Sequence, residues 1–238
     1  MKIIHLAETT STMDEARRVV TDGEPTFVVA EMQTAGRGRR GNQWQSAPRA
    51  GVYGTYAFQV NHSELQLSGL SLAVGVGLLD GLKLLPWGIR LKWPNDLVHE
   101  RSKRKLAGIL IESASQAAIT TVLVGVGLNI ESSSSTETAG HPIGLKDLSS
   151  SYLFYSYEES CHQVATILDA TIKKFQHQGF GGFHQAFHDC MVSSPTMTID
   201  TEGVVRHGAV EGVSSSGALL LREGEVLHEV LSGHVISW

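Results

Sequence analysis

The chain has 238 residues, 19 of them Lys or Arg and 24 Asp or Glu, for a formal net charge of −5, with 42% hydrophobic and 18% charged residues. That is ordinary globular composition; it excludes a disordered tail, a coiled coil and a collagen-like repeat, and the acidic balance argues against nucleic acid as a partner. Two cysteines, Cys161 and Cys190, are too few for a disulfide framework or a four-cysteine zinc site and fit small core residues in a reducing compartment. Only six residues precede Glu8 after Met1, too few for a signal-peptide apolar region. No run reaches the roughly 20 apolar residues of a membrane span. A cytoplasmic protein that avoids membranes is expected.

Lys2–Leu6 reads as a strand, and Thr9-Thr10-Ser11-Thr12 before Met13-Asp14-Glu15-Ala16 reads as a capped helix start running to about Val20, with Asp22-Gly23 ending it. Thr26–Glu31 is a β-branched strand; 33–49, rich in Gly and Arg, is a loop; Val52–Val60 is a strand. Leu67–Leu85 has helical spacing and stops before Pro86. Ile89–Trp93, a Pro94-Asn95-Asp96 turn and Leu97-Val98 form a hairpin, followed by apolar strands over Leu106–Glu112 and Thr120–Ile130. Ser132–Gly140 is a polar surface loop. Helices are expected over Glu158–Phe175 and Gly181–Met191. Short strands then follow over Thr196–Thr201, Val204–Val213, Ala218–Arg222 and Glu225–Val230, with Gly-containing hairpin turns between them. The reading is an α+β chain, with a mixed-sheet domain over 1–192 and a small β-barrel over 193–238.

Charge is unevenly spread. From Met32 to Arg49 there is no acid but four arginines, Arg37, Arg39, Arg40 and Arg49, and a second basic cluster holds Arg101, Lys103, Arg104 and Lys105. These are either two solvated loops or a site for a small anion. In Gln33-Thr34-Ala35-Gly36-Arg37-Gly38-Arg39-Arg40-Gly41, glycines let the backbone approach a ligand and arginines offer forks for phosphate or carboxylate. Nucleic-acid-binding tails use the same letters, but here they occur once inside a folded domain. No P-loop pattern exists. Pro94-Asn95-Asp96 suits a plain hairpin turn, yet Lys92, in the apolar strand before it, needs an anionic partner. Lys105 stands where the second patch runs into the strand Leu106-Ala107-Gly108-Ile109-Leu110, and Gly108, Gly125 and Gly127 within apolar strands point to a close neighbour or a ligand. His184 and His188, at i and i+4, lack the HExxH glutamate and are read as exposed residues of an amphipathic helix rather than zinc ligands.

Taken together, Ser11-Thr12, the run Gly36–Gly41 with Trp44, Lys92-Trp93-Pro94-Asn95-Asp96, Lys105–Leu110 and Gly125–Asn129 resemble, in order and spacing, the biotin protein ligases. The resemblance implies a biotin/lipoate-ligase type catalytic domain that joins biotin to ATP as biotinyl-5′-AMP with Mg²⁺ present. It then passes biotin to a lysine of the biotin carboxyl carrier protein of acetyl-CoA carboxylase. By resemblance, Lys105, Asp96 and Arg39 are catalytic. Ser11, Thr12, Met13, Gln33, Gly36, Arg37, Gly38, Arg39, Lys105 and Gly108 would bind biotin. Arg39, Arg40, Trp44, Lys92, Asn95 and Asn129 would bind ATP, with Trp44 over adenine. No separate metal-ligand set is expected. Asn42 departs from the basic residue many members carry there. The start of the chain so close to the first motif suggests a ligase without an operator-binding domain, and a homodimer is left open. Lipoate ligase and a non-catalytic biotin-binding module are the alternatives.

Overall fold

The computed structural model describes residues 1–20, 23–61, 67–132, 142–148 and 156–238. A seven-stranded mixed sheet forms the larger part. Its strands are β1 (Lys2–Thr9), β2 (Thr26–Gln33), β3 (Gly51–Asn61), β4 (Ile89–Lys92), β5 (Asp96–His99), β6 (Arg104–Gln116) and β7 (Ile119–Asn129), in the order β1-β2-β3-β7-β6-β5-β4. Only β1 and β2 pair in parallel, joined through helix α1 (Thr12–Val19) as a βαβ crossover; every other neighbour is antiparallel. A second sheet of five antiparallel strands follows: β8 (Thr196–Thr201), β9 (Val204–Val213), β10 (Leu219–Glu223), β11 (Val226–Val230) and β12 (His234–Ser237), in the order β11-β10-β9-β8-β12. The α+β class is as expected.

Helices cover both faces of the large sheet unequally. One face carries α2 (Leu70–Gly81), α4 (Tyr157–Gln178) and α5 (His184–Cys190), and the main core there runs on into the second sheet through Met197, Ile199, Val213 and Leu219. The other face is covered by α1 through a small cluster of Met13, Ala16, Val20, Val28, Ala57 and Leu123. Because one helix is too small to cover that face, part of it is left to the 34–49 segment. A further short helix, α3 (Leu145–Leu148), follows β7.

Several boundaries moved for local reasons. The helix expected over Leu67–Leu85 is α2 and ends at Gly81: the chain turns left-handed at Lys83 (φ 52°), and Pro86 falls in a separate 3₁₀ turn, Leu85–Trp87. α4 runs from a Ser156/Glu159 capping box to Gly179 (φ 58°), longer than Glu158–Phe175. β12 was not anticipated. The 33–49 segment is not featureless: it holds a 3₁₀ turn, Arg39–Gly41, and bridges Gln33 to Ser46 and Arg37 to Gln43. Except for Ser132, the loop expected over Ser132–Gly140 lies outside the described residues, as does Asp22. Cys161 and Cys190 are free and buried, and burial raises both thiols, Cys161 to about 11 and Cys190 to about 12. No helix among the described residues is long and apolar enough to cross a membrane.

Candidate active site

On the α1 face, a narrow cleft opens between α1, the 34–49 segment and strands β6 and β7. Its buried end is polar. Ser11, the N-cap of α1, accepts from Met13 N at 3.3 Å. Thr12 donates to Gln33 Oε1 through its backbone N–H (2.8 Å) and Oγ1 (3.1 Å), and Oγ1 lies 2.9 Å from Thr55 Oγ1 on β3. Gln33 Nε2 donates to Ser46 Oγ at 3.0 Å. The N-cap preference of Ser11 and the parallel β1–β2 pairing thus place α1's first turn beside the end of β2. The walls are apolar: Met13, Ile109, Leu110 and Val126. Met13 lies over Gly125, where a Cβ would meet its sulfur at 2.8 Å.

The open end is charged. Asp96 opens β5 and pairs in register with Lys92 on β4 and Gly108 on β6. A bulge beside Leu97 and Val98 places Lys105, not Leu106, opposite Val98. Lys105 Nζ then lies 2.6 Å from Asp96 Oδ1 as an ion pair. Arg39 donates to Asn95 Oδ1 at 3.3 Å. Burial pulls the Arg39 guanidinium below its usual range, against the pull of Asp96. Burial likewise lowers the Lys92 ammonium, with Asp96 opposing and Lys105 and Lys103 reinforcing the shift. Asn95 is itself fixed, donating from Nδ2 to Ile109 O at 2.9 Å while its carbonyl accepts from Ile109 N at 3.0 Å.

Trp44 lies inside the cleft. Its ring rests on Gly127 and Gly108, where a Cβ would sit 2.3 Å and 2.9 Å from ring atoms, and Lys105 Nζ stands 5.2 Å from the ring centroid. Its buried Nε1–H has no partner.

Ser11, Thr12, Met13, Gln33, Arg37, Gly38, Arg39, Trp44, Asn95, Lys105 and Gly108 all line the cleft. Others stand behind it. Gly36 packs under the Trp44 carbonyl, with a Cβ only 2.5 Å from it. Asn129 Nδ2 donates to Lys105 O at 3.2 Å. Lys92 stands beyond Asp96, 6.0 Å from the Trp238 ring. Arg40 (φ 57°) borders a groove on the outer side of the segment with Asn42 and Glu112. Asn42 closes the turn through its backbone, accepting from Gly38 N and donating to Arg39 O. Thr55 was missed, as one more β-branched residue in a buried strand. The histidine pair is half-buried rather than exposed: both Nε2 atoms face Val213 O, at 2.9 and 3.4 Å, docking α5 on β9. No group of three or more potential metal ligands occurs among the described residues.

Residues 4–129 match the model of the Biotin/lipoate A/B protein ligase family. The chain belongs to this family. Within it, the biotin–acetyl-CoA-carboxylase ligase of Paracoccus denitrificans is 30% identical over 233 residues, covering 91% of this chain and 92% of the relative. The bifunctional ligase/repressor BirA of Escherichia coli is 27% identical over 211 residues, 87% of this chain but 64% of BirA. The chain thus spans less than two thirds of that relative's length. The biotin protein ligase of Aquifex aeolicus, solved with biotin and ATP, superposes with a TM-score of 0.81 at 27% identity, covering 98% of this chain and 97% of that one. The two chains therefore share one overall fold along nearly their whole length.

Proposed function

We propose that the chain is an ATP-dependent biotin protein ligase, with its catalytic unit in residues 1–192 and a small β-barrel unit in 193–238. It makes biotinyl-5′-AMP and pyrophosphate, then transfers biotin to a lysine of a biotin carboxyl carrier domain in the cytoplasm. The polar buried end of the cleft carries the reading. A ureido ring presents two N–H donors and one carbonyl acceptor, and Thr12, Gln33, Thr55 and Ser11 supply the complementary groups. The dithiolane ring of lipoate has no amide hydrogen or carbonyl to offer them.

Bound ureido-end inward, biotin directs its valeryl carboxylate along Ile109 and Leu110 toward Lys105 and Arg39. A carboxylate oxygen attacks the α-phosphorus; the bond from that phosphorus to the bridging oxygen of the β-phosphate breaks, and pyrophosphate leaves. Two anions must meet, so fixed cations matter most. Lys105 spans them as a point charge, Asp96 holds the ammonium in place, and Arg39, steadied by Asn95, faces the phosphate. Asn129 fixes the Lys105 backbone, and Lys92 and Arg40 serve the outer phosphates. Trp44 leaves its glycine floor to stack on adenine, exposing Gly108 and Gly127 to the adenylate. In the second step the acceptor lysine amine attacks the biotinyl carbonyl, AMP departs, and an amide remains.

Mg²⁺ is bound by one or two carboxylates together with substrate phosphates. Asp96, the carboxylate at the charged end of the cleft, is the residue that would hold the ion, sharing its charge with Lys105. The ion would supply charge neutralisation of the triphosphate.

Incubation with ATP, a carrier domain and either labelled biotin or labelled lipoate tests the reading. Biotin alone should label the carrier; labelling by lipoate alone, or by neither, would overturn it.

A further inference from the structure

Arg37, expected on resemblance to bind ligand, lines the cleft and also pairs with two carboxylates of the protein. Its Nη1 donates to both oxygens of Asp14, at 2.8 and 3.0 Å, and its Nη2 lies 3.5 Å from Glu112 Oε2. Glu112 Oε2 also accepts from Arg17 Nη2 at 2.8 Å. Two guanidinium groups and two carboxylates thus link into a neutral quartet, in the order Asp14, Arg37, Glu112, Arg17, drawn from α1, β6 and the 34–49 segment. A neutral quartet presents little field to an anion. It does fix position: Asp14 belongs to the same first turn of α1 as Thr12, and Ser11 caps that turn.

We infer that Asp14 and Glu112 are positioning residues, which clamp Arg37 and so hold the amino-terminal arm of the 34–49 segment over the polar end of the cleft. The inference rests on the proposed ligase reading for its kinetic consequence alone. Arg37 is then the anchor of the segment, and Arg39 is the arginine that faces the anion. Beyond the anchor, the arm is closed by the Arg37–Gln43 bridge and the Gly38 N–H to Asn42 carbonyl bond at 2.8 Å, so a shift at Arg37 carries to Arg39. All four side chains are between 30% and 45% exposed, so the clamp is weak enough to open and sensitive to salt.

Asp14→Asn and Glu112→Gln, on a helix and a strand respectively, test this against Glu15→Gln. Glu15 neighbours Asp14 in the same turn but pairs with Arg18, so it reports any loss of helix capping charge. Two readouts are used: trypsin nicking after Arg39 and Arg40 without ligand, and steady-state biotin-dependent pyrophosphate exchange. An ion pair at the upper end of the range for partly exposed pairs, about 1 kcal/mol, corresponds to about a fivefold effect. Both clamp variants should be nicked about five times faster and show a KM for biotin raised about fivefold. Their kcat should fall by less than KM rises, their melting temperature should change little, Asp14→Glu should restore both values, and Glu15→Gln should match wild type. About 0.5 M salt should speed nicking of wild type toward that of the variants. Unchanged nicking and unchanged KM in both clamp variants would overturn the inference. Absence of biotin-dependent exchange in the wild-type protein would instead sink the ligase reading, and the nicking rates would still decide the clamp.

Discussion

At the scale of single residues, the proposed chemistry turns on Lys105. Its ammonium lies against Asp96 at one side and the Trp44 ring at the other, with its side chain 37% exposed, so removing it costs the fold little. Lys105→Ala should therefore melt like wild type while biotin-dependent pyrophosphate exchange falls by about 10²–10³, the range for loss of one preorganised group facing developing charge. Lys105→Arg should also be poor, since a planar fork does not replace a point charge between two acids. Lys92 adds a pH signature. Burial lowers its folded pKa below the ordinary 10.5. Between that lowered value and 10.5 the unfolded chain binds more protons than the folded one, so this group makes stability rise with pH across that window. Affinity for ATP runs the other way, because a neutral Lys92 no longer attracts phosphate. KM for ATP should climb as pH rises into the alkaline range in wild type, and Lys92→Arg, which stays charged, should flatten that climb. Parallel profiles for the two proteins would remove Lys92 from the phosphate path.

At the scale of elements, the site depends on close backbone approach. On β3, a Cβ at Gly54 would lie 2.3 Å from the fully buried Phe27 ring of β2. Gly54→Ala therefore overpacks the sheet directly behind the cleft, and should cost about 1–3 kcal/mol. For a chain of this size that is a melting temperature lower by about 2–4 °C per kcal/mol, read by thermal denaturation. An unchanged melting temperature would mean that Phe27 has room the packing does not show. The same close approaches explain what could be read from the sequence. Lys92 and Lys105 stood out because charges interrupt apolar strands, and Gly108, Gly125 and Gly127 stood out because glycine weakens a strand unless something lies on it; Trp44 and Met13 are what lies there. Thr55 did not stand out, since its role arises only from Thr12, 43 residues earlier. The anchoring of Arg37 was equally hidden: Asp14 and Glu112 lie 23 and 75 residues from it, in an α-helix and a strand whose facing the sequence does not state. β12 is four residues long and exists only by pairing with β8, a long-range event with no local signal.

At the scale of the whole molecule, the second sheet is joined to the site. The apolar core is continuous from α2 and α4 into β8 and β9, and the buried Trp93 Nε1–H donates to Gly217 O at 3.1 Å, tying the turn that carries Asn95 and Asp96 to the second sheet. Trp93→Phe keeps most of the ring but leaves that carbonyl unpaired, a cost of about 1–3 kcal/mol. It should lower chemical-denaturation stability by that amount and, by loosening the turn, raise KM for ATP. Unchanged stability would show that the two sheets do not depend on this bond. The central claim, that one cleft brings biotin's carboxylate to the α-phosphate of ATP between Lys105 and Arg39, is tested most directly by mass spectrometry of the protein mixed with biotin and ATP in the absence of any acceptor. Biotinyl-5′-AMP should be found bound in about equal amount to the wild-type chain, and in Lys105→Ala should accumulate about 10²–10³ more slowly. An adenylate missing from wild type, or formed at an equal rate by Lys105→Ala, would contradict the account.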